Sequence, residues 1–178
     1  KLRKPIPGPL MVRDEKSGLP IFIEGEVEGL PELRDAPNSQ RAIQYLDHFS
    51  KDLRIAAPGK EFVLVSQSTD EQQQNHLRFR QQYQGIEVYG AEVILHEKDG
   101  KILLFNGRYF PTPALRSVKP GLDAPQAIQA ALDDVQKKET LRPLSTAEVG
   151  MVGEQIAKKQ LVILHTGPEQ DVPKLCWY

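Results

Sequence analysis

The chain has 178 residues, 39 % of them hydrophobic and 26 % charged, which is enough apolar material for a core and too much for a disordered tail. Twenty-three basic side chains against twenty-four acidic ones leave a formal charge of −1, so no long-range field gathers phosphate backbones or acidic lipids, and neither nucleic acid nor a membrane is expected as a partner. A lone Cys176 cannot close an intramolecular bridge, and with four scattered histidines it cannot supply the spaced ligand set of a structural zinc site.

The length falls between one large domain and two small ones. No stretch approaches the roughly 20 apolar residues that span a bilayer, and the opening Lys1-Leu2-Arg3-Lys4-Pro5 lacks the apolar core of a signal peptide.

To about Ala36 the chain carries Pro5, Pro7, Pro9, Gly18 and Pro20 around the apolar stretch Ile21-Phe22-Ile23, then Val27, which predicts one short strand between turns. Asn38 or Ser39 is placed to cap a helix whose apolar positions Ala42, Ile43, Leu46 and Phe49 recur at helical spacing, ending near Leu53. A strand over 61–66 follows, and the polar run 68–75 interrupts the pattern.

From His76 to Tyr83 the apolar Leu77, Phe79 and Tyr83 are separated by Arg78, Arg80 and Gln82, the alternation of a half-buried strand. Gln84-Gly85 reverses the chain, and a second strand, Ile86 to Glu97, is expected to place Tyr89, Ala91, Val93 and Leu95 on one face. Asp99-Gly100 favours the positive backbone dihedrals of tight hairpin turns, so Ile102 to Tyr109 should pair with the strand before it. Residues 76–110 therefore read as a three-stranded antiparallel meander. Gln81 breaks its own pattern: it shares a face with Leu77, Phe79 and Tyr83, where an unpaired amide costs about 1–3 kcal/mol. Either it lies at a wet strand end or it ties the strand to a loop through backbone hydrogen bonds.

Pro111, Pro113, Pro120 and Gly121 suit an extended connector and a domain boundary. Beyond it Asp123 can cap a helix in which Ile128, Ala131, Leu132 and Val135 share a face, with Ala127 beside them. Strands are expected at Val149–Val152, Gln160–His165 and Lys174–Tyr178, with Gly167-Pro168 between the last two.

The residues needed for catalysis are not arranged for it. A zinc peptidase requires two histidines one helical turn apart with a glutamate beside the first, whereas His48, His76, His96 and His165 are far apart. Gly85 and Gly90 bracket a strand instead of opening a helix, so they form no phosphate loop. Asp133 and Asp134 point about 100° apart on a helix and cannot share one proton. Ser145-Thr146 has no identifiable base.

The stretch from Leu77 to Val93 resembles the signature of the FTP domain, the fungalysin/thermolysin propeptide module, which runs as apolar-Arg-aromatic-x-Gln-x-Tyr-x-Gly-Ile-Pro-Val-x-Gly. Arg78, Phe79, Gln81, Tyr83, Gly85, Ile86, Val88 and Gly90 fall in step with it, and Asn106-Gly107 ends it. Glu87 departs, standing where the family favours proline. Gly18 to Gly25 looks like the family's early strand. Ala124 to Val135 resembles the opening helix of a PepSY domain, and Leu161–Leu164 with Leu175–Tyr178 look like its paired strands.

The resemblance implies an α+β fold of two small domains, each an antiparallel sheet packed with a helix: an FTP-like unit over 1–113 and a PepSY-like, cystatin-like unit over 114–178 whose C-terminal strand is cut short. It implies a propeptide that chaperones and inhibits a thermolysin-like zinc metallopeptidase, joined to that catalytic domain in cis before cleavage and bound non-covalently after. The competing reading is a freestanding inhibitor or binding module of the same fold. No catalytic or metal-ligating residue and no cofactor is expected in this segment, zinc and calcium belonging to the catalytic domain. The setting implied is secretion, through a periplasm in transit, with the signal peptide absent from this chain. Arg78, Arg80 and Gln82, on the polar face of the motif strand, are the expected partner contacts. Phe79, Gln81, Tyr83, Gly85, Ile86, Val88, Gly90, Asn106 and Gly107 are expected to serve the fold.

Overall fold

A computed structural model of the protein describes residues 8–27, 30, 36–138, 145, 146, 148, 160–166 and 172–178. Its elements are β1 (Leu10–Arg13), β2 (Pro20–Glu24), α1 (Asn38–His48), α2 (Ser50–Leu53), α3 (Pro58–Glu61), β3 (Phe62–Thr69), β4 (Asn75–Tyr83), β5 (Ile86–Lys98), β6 (Lys101–Arg108), α4 (Ala124–Lys138), β7 (Leu161–His165) and β8 (Pro173–Trp177). The fold is α+β. Neighbouring strands run β1-β2-β6-β5-β4-β3, all antiparallel, while β7 joins β5 in parallel and pairs antiparallel with β8.

The expected meander is present, and its turns explain it. Gln84 and Gly85 have φ of 50° and 82°, Asp99 and Gly100 53° and 80°, the left-handed pairs that match the twist of adjacent strands. The sheet extends beyond the meander on both sides. β3 adds to β4, and β2 adds to β6 with Ile23 opposite Phe105. β1 was not expected: Leu10-Met11-Val12 lies among prolines and shows no alternation long enough to read. It forms because Met11 finds Ile23 across the ladder.

One face of the sheet is covered by α1. Ala42, Tyr45 and Leu46 meet Ile23, Leu77, Phe79, Val93, Leu95 and Phe105, all at most 1 % exposed; burying each such large side chain stabilises the fold by about 1.5–3 kcal/mol. Neither Asn38 nor Ser39 caps α1. Pro37, at φ −57° and ψ 147°, stands before the first turn without a side-chain bond, and its carbonyl accepts from Gln40 N at 2.9 Å. The Asn38 oxygen instead accepts from Arg41, whose guanidinium also donates to the Ala36 carbonyl. The helical path breaks at Phe49 and resumes as α2, which Arg54 closes at φ 56°, near the expected end.

Two buried carboxylates brace the ends of this core. Glu97 accepts from Asn75 Nδ2 at 2.5 Å and Gly100 N at 2.6 Å, and faces Arg41 at 3.5 Å. Glu61 accepts from Ala57 N at 3.0 Å and Thr112 Oγ1 at 2.8 Å, so the connector after β6 is knotted to α3.

Asp123 caps α4 as expected. Gln126 N donates to Asp123 Oδ1 at 2.9 Å and Asp123 N to Gln126 Oε1 at 3.0 Å, a reciprocal capping box. None of the side chains of α4 is buried, and Leu132 and Val135 are exposed. A small second cluster of Val88, Ala91 and Ile163 sits where β7 joins β5. The strand expected at 149–152 and the loop at 167–168 lie outside the described residues.

Candidate functional site: the motif strands

The motif residues divide by face. On the core face of β4, Phe79 and Gln81 are buried. Gln81 Nε2 donates to the Phe110 carbonyl at 2.7 Å and Phe110 N donates back to Gln81 Oε1 at 3.0 Å. The amide thus closes a two-bond ring with a loop backbone 29 residues away, which settles the choice between wet strand end and tether in favour of the tether.

Gly107 is required by a close approach. With φ at +147°, a Cβ there would lie 2.4 Å from Glu92 O and 2.6 Å from Val93 Cα. Asn106, its neighbour in the motif, stands opposite Ile94 and Phe22 across the two flanking ladders. Gly90 marks a change of course in β5. Arg80 pairs with Glu92 but Gln82 with Glu87, so residues 88–91 leave the β4 ladder, while Glu87 and Val88 pair with Val162 and Ile163 of β7.

That excursion overturns the expectation that Tyr89 shares a face with Ala91, Val93 and Leu95. At Gly90 φ is +71°, the strict alternation slips, and Val88 and Ala91 are buried while Tyr89 is exposed. Its ring meets that of Tyr178 at 4.7 Å. Tyr83, Ile86 and Val88 line the second cluster, together with Phe110 and Leu175.

The outer face of β4 carries the three expected contact residues. Arg78 reaches Glu92 at 2.9 Å, Arg80 reaches Glu87 at 3.3 Å and Glu92 at 4.0 Å, and Gln82 Nε2 donates to the Lys60 carbonyl at 3.0 Å. Both arginines are close to half exposed, so each ion pair contributes only about 0–1 kcal/mol. Glu87, the departure from the family pattern, also accepts from Gln160 Nε2 at 2.8 Å. It thereby ties the β4–β5 hairpin to the start of β7, which a proline could not do.

Sequence reasoning missed one cluster on this face. His76 and His96, treated as unrelated, stand opposite each other with their Nδ1 atoms 2.8 Å apart. Twenty residues of strand and turn separate them, and only the register brings them together. A cleft of about 730 Å³ opens between the β1–β2 turn and the ends of β6 and β7. Phe110 and His165 stack along it with ring centroids 3.9 Å apart, and the Arg108 guanidinium lies 5.2 Å from the Phe110 ring. Ser17 Oγ, on the same cleft, donates to Asp14 at 2.8 Å, and the bonds from Ser17 hold the Asp14 carboxyl below the usual carboxylate range. Among the described residues no group of three or more His, Cys, Asp or Glu side chains converges as a metal site.

A motif spent on backbone geometry within an α+β sheet defines a structural module. Residues 60–109, from α3 to the end of β6, match the FTP family, the Fungalysin/Thermolysin Propeptide Motif. The chain is similar to thermolysins of Alicyclobacillus acidocaldarius subsp. acidocaldarius and Bacillus caldolyticus, each 28 % identical over 170 residues, covering 94 % of this chain and 29 % of the relative. It is also similar to the thermostable neutral protease NprT of Geobacillus stearothermophilus, 28 % identical over 143 residues, covering 75 % of this chain and 24 % of the relative. By the motif match and these likenesses the chain resembles a thermolysin-like propeptide. It spans less than a third of the length of these curated relatives.

Proposed function

We propose that this chain is the intramolecular chaperone and inhibitor of a thermolysin-like zinc metalloendopeptidase, secreted with it and removed on maturation. The observation that carries the reading is the coincidence of the propeptide motif with the β3–β6 sheet. The motif residues on the core side serve the fold, Phe79 and Val88 by packing and Gln81 by backbone bonds, so the work is left to surface. A scaffold that binds the folding transition state of a partner speeds its folding, and one that binds the finished partner tightly inhibits it; neither requires a reactive group. Zinc, and calcium, would belong to the partner.

The outer face of β4, with Arg78, Arg80 and Gln82, is the contact surface in this proposal, and residues after the connector form a second, PepSY-like unit. The test is inhibition of the matching mature peptidase by the purified chain, beside recovery of activity when the denatured peptidase refolds with and without it. Dose-dependent inhibition and improved recovery are expected. A folded chain that does neither defeats the proposal. Replacing Arg78, Arg80 and Gln82 by alanine should weaken inhibition by about tenfold or more, a loss of at least ~1.4 kcal/mol, at an unchanged urea midpoint; undiminished inhibition would move the contacts elsewhere.

A further inference from the structure

Four side chains on the outer face form a hydrogen-bonded line across three strands. Asp70 stands in the turn after β3, His76 on β4, His96 on β5 and Asn106 on β6. The histidine rings meet nearly edge-on at 88°, centroids 4.7 Å apart. Their outer nitrogens are engaged: His76 Nε2 is 3.0 Å from Asp70 Oδ2, and His96 Nε2 is 3.0 Å from Asn106 Oδ1. Asp70 also caps its own turn, accepting from Gln72 N and Gln74 N at 2.9 Å each.

Counting protons defines what this line tolerates. A carboxylate only accepts, so the proton between Asp70 and His76 belongs to His76 Nε2. Neutral His76 then offers a lone pair at Nδ1, and the 2.8 Å gap is filled by a proton on His96 Nδ1. With Asn106 Oδ1 as acceptor, His96 holds a second proton and the pair carries one positive charge; with the amide turned over, the pair is neutral. Both arrangements put a single proton in the gap. Charging both rings would aim two N–H groups at each other across 2.8 Å with no acceptor between them.

The surroundings offer little to offset that. Among the described residues, Asp70 is the one charged side chain on this face that bonds to the pair. Arg78, next on β4, is held by Glu92 at 2.9 Å. Lys98 lies two residues along β5, and Glu24 of β2 stands beyond Leu104, which faces His96. Across β3 the residue opposite His76 is the uncharged Ser68.

We infer that the Asp70–His76–His96–Asn106 line is an acid-sensitive clasp: it holds the β3–β4 turn to β6 while at most one ring is charged and opens when both are. Burial, chiefly, pushes His96 below its ordinary value of 6.5, the neighbouring His76 adding to the effect, against the hydrogen bond to Asn106 and the charge of Asp70. The unfolded chain therefore takes up the proton first as pH falls, so stability declines with acidification from about pH 6.5 downward. Backbone bonding from Gln74, and then His76, hold the Asp70 carboxyl below 3.8. Its own contribution is lost only at lower pH, so within the clasp the decline that begins near pH 6.5 comes from His96.

The test needs no peptidase and so stands apart from the propeptide reading. Urea midpoints of the chain and of the His96→Gln variant would be compared at about pH 7.5 and about pH 5, beside NMR titration of the histidine ring protons. The chain should lose midpoint on acidification, the variant should lose less than half as much, and the His96 ring should titrate below 6.5. Equal losses in both proteins would overturn the clasp. Should the variant fail to fold, a His96 ring that titrates at 6.5 or above in the unaltered chain would overturn it alone.

Discussion

A Cβ on Gly107 would press against the backbone of Glu92 and Val93, neither of which can turn aside as a side chain would. Gly85 is different: it has φ +82° but nothing within 4 Å of an added Cβ. Gly85→Ala thus meets only conformational strain, about 1–2 kcal/mol. Gly107→Ala adds a backbone clash and should cost more, about 3 kcal/mol or above, read as the larger drop in urea midpoint. Equal drops would show that β5 and β6 shift apart freely. The two glycines look alike in the motif; only the ladder between β5 and β6 separates their roles. Gln81 was half legible, since its place on an apolar face demanded a partner, but Phe110 as that partner came from the fold.

At the scale of elements, α1 and α4 carry the same apolar periodicity and have opposite fates. Tyr45 and Leu46 of α1 are fully buried, whereas α4 buries no side chain, so α4 depends more on its local contacts. Chief among these is the Asp123–Gln126 capping box, with the Lys138–Asp134 pair at 2.7 Å near its end. Asp123→Ala should cost about 1 kcal/mol of helix stability. The expected readout is a loss of helical circular dichroism with the cooperative transition of the β3–β6 sheet left in place. If helicity is unchanged, tertiary packing holds α4. Periodicity reports which stripe of a helix is apolar; it carries no information on whether another element covers it.

For the whole molecule, the proposed boundary near residue 113 bears on how the chain unfolds. The link between β5 and β7 is two paired positions, Glu87 with Val162 and Val88 with Ile163, supported by Gln160 on Glu87. Trp177, the single tryptophan, lies beyond that link on β8 and donates from Nε1 to the Leu122 carbonyl at 2.9 Å, so its fluorescence reports chiefly on the packing of β8 against the connector. In urea the fluorescence transition should precede the loss of far-ultraviolet circular dichroism, as expected for a second unit held by a short ladder. Coincident curves would make the chain one cooperative unit.

By itself the sequence determined the meander, its two tight turns, the cap of α4 and the strands β7 and β8, because alternation, turn residues and capping residues act within a few positions of one another. Tertiary structure decided the existence of β1, the outward turn of Tyr89, the tether from Gln81 to Phe110 and the meeting of His76 with His96. Each of these depends on which residue a strand places opposite another, and a single glycine or bulge can shift that register without leaving a trace in local composition.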